Sequence, residues 1–174
     1  SLGFKTEGEA ILLIGDTQGW LGQSVYLRDL CDREEGAPPP VDLAAEKRNG
    51  NVVRGMIHAG TATSVHDISD GGLLVALAEM AMAGNIGARL LAAPAAIVPH
   101  AWWFGEDQAR YIVTVPEDQA GRVLAKMRGC EMPCMRIGTT GGDRIAIVGE
   151  AAVSVASLRA GFEGWFPAYM SGAN

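Results

Sequence analysis

Ser64-Val-His-Asp-Ile-Ser-Asp-Gly-Gly-Leu73 decides how the rest of this chain is read. Val65 and Ile68 are β-formers, so the stretch opens as a short strand, Ser64 to Ile68. Asp67, Ser69 and Asp70 are turn and cap residues. Gly71 and Gly72 allow the backbone to approach a ligand closely. From Gly71 to Ala83 strong helix formers follow without a break until Gly84. A strand that ends in an acidic loop and opens straight into a helix has two readings. In one, Ser69 or Asp70 caps the helix through its side-chain oxygen. In the other, the free N–H groups and helix dipole receive an anion such as phosphate. Two carboxylates beside such a spot repel phosphate unless a cation lies between them.

Working outward, Ala10 to Gly15 is a continuous apolar run that predicts a buried strand. Asp16 to Gly19 is a turn, and Leu21-Gly-Gln-Ser24 leads into a short helix, Val25 to Cys31. Glu34 to Pro40 is a proline-rich connector. A helix begins near Asp42, its N-cap, with Asn49-Gly50-Asn51 as an interruption and Gly60 as a stop. After the Gly71 helix come a strand at Ile86 to Leu91, an irregular stretch or short helical turn over Ala92 to Pro99, and a strand at Ala109 to Val115. Glu117 to Arg128 has helical spacing. Cys134 to Ile137 and Arg144 to Val148 read as two late strands joined by a hairpin loop, Gly138 to Asp143. A helix from Val153 to Gly161 precedes an apolar tail, Phe162 to Pro167. Irregular alternation with adjacent strands near the end points to an α/β fold with a mixed sheet covered by helices, not an all-parallel doubly wound one.

The 174 residues carry a net charge of −6, and their Lys and Arg are scattered, which argues against a nucleic-acid partner. No apolar run reaches the roughly 18 residues of a membrane span, and no signal-peptide pattern opens the chain, so a cytoplasmic protein is expected. Cys31, Cys130 and Cys134 match neither a redox pair nor a zinc site; reduced thiols that serve packing are expected, and no metal site. Ser1-Leu2 reads as an expression scar, and the lack of an initiator Met suggests a piece of a longer protein.

A second polar element is Phe104-Gly-Glu-Asp-Gln-Ala-Arg-Tyr111. Glu106, Asp107 and Gln108 can line a site at a strand's entrance, or form a charged turn in which Arg110 pairs with an exposed carboxylate worth only about 0–1 kcal/mol. His66 reads as a core or hydrogen-bonded histidine. A phosphate loop of the Gly-Lys-Ser/Thr type, a serine nucleophile elbow and a dinucleotide fingerprint are absent from the sequence.

Val65-His-Asp-Ile-Ser-Asp-Gly-Gly-Leu-Leu74, followed by Ala78-Glu-Met-Ala81, resembles the C-terminal domain of the aminoimidazole ribonucleotide synthetase superfamily. Phe104 to Tyr111 and the opening Ile14-Gly-Asp…Leu21-Gly-Gln-Ser24 narrow the resemblance to the C-terminal domain of the phosphoribosylformylglycinamidine synthases. It covers residues 10 to 167, within one domain taken as 1–174. The resemblance implies an ATP-dependent C–N ligase of purine biosynthesis, converting formylglycinamide ribonucleotide to the amidine with glutamine-derived ammonia. It implies as partners the N-terminal-type domains of the same subunit, a glutaminase and a small accessory subunit. ATP and magnesium would be bound mainly in those N-terminal-type domains, which also hold the catalytic histidine; none of these roles passes to His66. Glu106-Asp107-Gln108 carries Asp107 where the family's substrate-contacting copy has serine, which favours a structural or auxiliary nucleotide-site role. The implied ligand- or phosphate-facing residues are Asp67, Ser69, Asp70, Gly71, Gly72, Glu106, Asp107 and Gln108, with no catalytic residue, and the chain is expected to be inactive by itself. Other members of the superfamily, such as aminoimidazole ribonucleotide synthetase, thiamine monophosphate kinase, selenophosphate synthetase or a hydrogenase maturation protein, and a binding module without enzymatic ancestry, are the alternatives.

Overall fold

The computed structural model describes residues 2–172; Ser1 and residues 173–174 lie outside that range. The strands form one seven-stranded mixed sheet. In chain order they are β1 (Ala10–Ile14), β2 (Ser64–Asp67), β3 (Ala88–Leu90), β4 (Tyr111–Val115), β5 (Cys134–Thr140), β6 (Arg144–Ile147) and β7 (Val153–Ser154). Their order across the sheet is β2-β4-β1-β5-β3-β6-β7, antiparallel at every pairing except β3 with β6. The helices are α1 (Leu43–His58), α2 (Gly72–Gly84), α3 (Pro99–Phe104), α4 (Glu117–Gly129) and α5 (Val155–Ser171), with a π-helical turn at Tyr26–Leu30.

β1 is apolar at every position because both of its faces are covered. Ile11 and Leu13 join one core with α2, Trp102 and Trp103, while Ala10, Leu12 and Ile14 join a second with Val53 and Met56 of α1 and Val123 and Met127 of α4. The sheet is therefore the middle layer of three.

Several expectations from the sequence are corrected. Asn49-Gly50-Asn51 does not interrupt α1, because Asn49 turns inward and its Nδ2 donates to the Ala109 carbonyl at 2.8 Å. Asp42 does cap that helix, accepting from the Ala44 and Ala45 N–H groups. Gly138 to Asp143 is not a hairpin loop: β5 runs on to Thr140, and β3 lies between β5 and β6. Pro99–Phe104 forms a helix with Pro99 in its first turn, where the missing N–H costs nothing. The apolar tail after Gly161 is helical through Ser171, passing Pro167.

Candidate functional site

The register of three strands gathers three loops at one edge. Asp67 of β2 pairs with Tyr111 of β4, and Ile14 of β1 pairs with the same residue. The loop leaving β1 (15–25), the loop leaving β2 (68–71) and the loop entering β4 (105–110) thus meet, although they are far apart in sequence.

Glu106 and Asp107 lie at the centre of this junction, and both are buried. Glu106 Oε1 accepts the Gly71 N–H at 2.8 Å and the Val25 N–H at 2.9 Å. Asp107 takes the N–H groups of Gln18, Gly19 and Trp20 at 3.2, 3.0 and 3.3 Å. Two carboxylates thereby satisfy five backbone donors that the turns leave unpaired, through charge-assisted bonds. Arg110 closes the junction from below and is 1% exposed. It donates to the carbonyls of Asp107 at 3.0 Å and Gly105 at 2.5 Å and to Thr17 Oγ1 at 3.2 Å, with Asp107 Oδ2 3.7 Å away. Burial lowers the guanidinium's proton affinity, and the charges of Asp107 and Glu106 act against that loss. The expected exposed ion pair of Arg110 is therefore a buried network.

Helix α2 is capped differently from either sequence reading of its cap. Its N-cap is Gly71, in the left-handed region with φ +78°, and neither Ser69 nor Asp70 bonds to the helix start through its side chain. The carboxylate that meets this N-terminus, Glu106, arrives from a residue 35 positions away. Gly72, at φ +74°, sits against backbone: a Cβ there would lie 2.6 Å from the Gly105 carbonyl oxygen and 2.7 Å from the Phe104 carbonyl carbon. The close approach that Gly72 allows is between two segments of this chain.

Asp67, Ser69, Asp70 and Gln108 face outward. His66 Nε2 bonds Glu79 Oε2 at 2.8 Å, and its buried Nδ1 lies 3.4 Å from Asp67 Oδ1. Beside the junction, a cleft of about 200 Å³ between the proline-rich connector and α1 is lined by Asp16, Gln18, Arg48, Asn49 and Gln108. Asn49 Oδ1 is buried there without a partner, and Ala109, at φ +59°, is held by Glu46 Oε1 on its N–H and by Asn49 on its carbonyl. Glu46, Asn49 and Thr17 escaped the sequence reading because none belongs to a motif; only the paired loops bring them in. Among the described residues no group of three or more His, Cys, Asp or Glu side chains is placed to hold a metal ion.

The domain is thus a three-layer mixed α/β fold whose buried carboxylates, Glu106 and Asp107, gather at one edge of the sheet. The chain belongs to the family of AIR synthase related proteins, C-terminal domain, whose pattern matches residues 6–150. It is 80% identical over 173 residues, 99% of its length, to the phosphoribosylformylglycinamidine synthase subunit PurL of Bradyrhizobium sp. (strain ORS 278). It is 68% identical over 174 residues to the PurL subunit of Rhodopseudomonas palustris (strain HaA2). The chain spans only 24% of the length of each of those relatives. Among solved structures, PurL of Thermotoga maritima complexed with FGAR superposes with a TM-score of 0.74 at 22% identity, over 90% of this chain and 28% of that one. Thiamine-monophosphate kinase from Stenotrophomonas maltophilia K279a superposes with a TM-score of 0.57 at 22% identity, over 86% and 52%. Both likenesses speak to the fold, and both agree with the mixed α/β sheet expected from the sequence. No helix among the described residues is long and apolar enough to cross a membrane.

Proposed function

We propose that this chain is the C-terminal domain of a cytoplasmic phosphoribosylformylglycinamidine synthase large subunit and supplies a non-catalytic wall of its ligand-binding region. The observation that carries this reading is the 80% identity to a PurL subunit across 99% of the chain. In this reading the whole subunit ligates glutamine-derived ammonia to formylglycinamide ribonucleotide at the expense of ATP. The N-terminal-type domains supply the ATP and magnesium sites, and a glutaminase and a small accessory subunit complete the complex. The edge bearing Asp67, Ser69, Asp70 and Gln108 faces the N-terminal-type domain and the ligand across it. Gly71, Gly72, Glu106 and Asp107 set the shape of that edge from within. The inward bonds of both carboxylates support this division, since Glu106 already compensates the α2 N-terminus that a phosphate would otherwise meet.

The test is a chimera in which this chain replaces the matching quarter of the Bradyrhizobium subunit. With formylglycinamide ribonucleotide, ATP, magnesium and an ammonium salt, the chimera is expected to form the amidine, while the subunit lacking that quarter and the 174-residue chain by itself are not. A chimera no more active than the truncated subunit would overturn the reading. Turnover by the isolated chain would overturn the non-catalytic role.

A further inference from the structure

The sheet face opposite α2 carries a groove that the loop junction does not use. It runs between α1 and α4 and encloses about 510 Å³. Its floor is apolar and rich in methionine, with Met56, Met127 and Met132 beside Val52 and Val123. Methionine floors adapt to the side chains that enter them. One rim is small: Asn51 and Gly55 of α1 and its C-cap residue Ala59 follow one another at four-residue spacing. The other rim is cationic, with Arg122 and Lys126 one turn apart on α4.

Charge and shape together restrict the occupant. Arg122 and Lys126 are the charged residues that line the groove, and no carboxylate lines it, on a chain whose net charge is −6. A glycine inside a helix is less favourable than alanine. At Gly55 no contact within the chain requires it, for a Cβ there would meet nothing within 4 Å. Its absence keeps one rim low, so that a third helix can approach the backbone of α1.

We propose that the groove seats an amphipathic helix with an acidic flank, supplied by a separate partner polypeptide. Its apolar stripe enters the methionine floor, and its carboxylates lie along Arg122 and Lys126. A second copy of this chain does not fit as well. Its exposed apolar helix face, on α5, carries Glu163 as its acidic residue, and that carboxylate is already bonded to Arg159. The groove and α2 belong to different cores on opposite faces of the sheet, so an occupant leaves the loop junction open.

The test uses the chimeric subunit described above, in which this chain replaces the matching quarter, and two labelled synthetic helices of about 18 residues, or five turns. A groove covered by the rest of the subunit then gives no binding. Both carry the same leucine stripe; one is flanked by glutamates and the other by lysines. Fluorescence anisotropy at low salt is expected to give the acidic helix about tenfold higher affinity, a gap that narrows at high salt. The Arg122→Glu/Lys126→Glu double variant, altered only at exposed positions, is expected to invert the preference. Gly55→Leu is expected to lower affinity about tenfold without lowering the melting temperature, because the new side chain occupies open space on a helix. The acidic helix is also expected to slow alkylation of Cys130, an exposed thiol at the groove's end. Equal affinity for the two helices, or no binding of either, would overturn the proposal. So would a concentration-dependent dimer in sedimentation equilibrium that Gly55→Leu dissociates, since a second copy would then be the occupant.

Discussion

Helices α2 and α5 are both rich in apolar residues and both lie on the same side of the sheet, yet their fates are opposite. α2 buries Leu73, Ala76, Leu77, Met80 and Ala81 over Ile11, Leu13 and Ile112. α5 buries Val155, rests Leu158 against the same core, and then runs out from the sheet margin, where β7 is the last strand. Phe162, Trp165, Phe166, Tyr169 and Met170 stay exposed, Phe162 by 71%. The 3.6-residue spacing of apolar side chains makes a helix in both cases. Burial depends on whether a sheet lies beneath, and beneath the second half of α5 none does.

The comparison is broken most directly at Gly72. Gly72→Val would place side-chain atoms on the Phe104–Gly105 backbone at a positive φ, and a loss of about 4 kcal/mol or failure to fold is expected in urea denaturation. A loss below about 1 kcal/mol would show that the start of α2 is not anchored as described. Leu77→Ala should cost about 3 kcal/mol by the same measurement, because the side chain is fully buried. Glu106→Ala strands the Gly71 and Val25 N–H groups and should cost about 2 kcal/mol, with hydrogen exchange at Gly71 accelerating first.

The contrast between covered and uncovered groups extends to the thiols. Burial pushes the Cys134 thiol up to about 11, while Cys31 and Cys130 are exposed. The fold favours the neutral thiol, so this contribution to stability is complete below the ordinary thiol range. It is lost as pH rises from that range toward about 11. Iodoacetamide at pH 8 should modify Cys31 and Cys130 well before Cys134, and Cys134→Ala should flatten the alkaline fall in stability. Equal labelling of all three thiols would contradict the burial of Cys134. The smallest effect is expected at Phe166, where replacement by alanine in the isolated chain should move stability by no more than about 0.5 kcal/mol.

Local chemistry made much of this molecule readable in advance. The unbroken apolar run from Ala10 to Gly15 predicted a buried strand, Asp42 announced a helix, and Gly71-Gly72 marked a place where backbone approaches something closely. Three motifs in one order were enough to indicate the family that the residue 6–150 match then established. Each of these rests on neighbours within a few residues, where periodicity, capping and turn chemistry act. What Gly72 approaches, which carboxylate meets the α2 N-terminus, and where Arg110 goes were decided by strand register. β2 and β4 pair at Asp67 and Tyr111, and that pairing carries Glu106 to Gly71 and Asp107 to Gln18–Trp20. The insertion of β3 between β5 and β6 and the overhang of α5 belong to the same class. They depend on contacts between residues distant in sequence, whose cost in chain entropy is repaid only when the whole sheet forms.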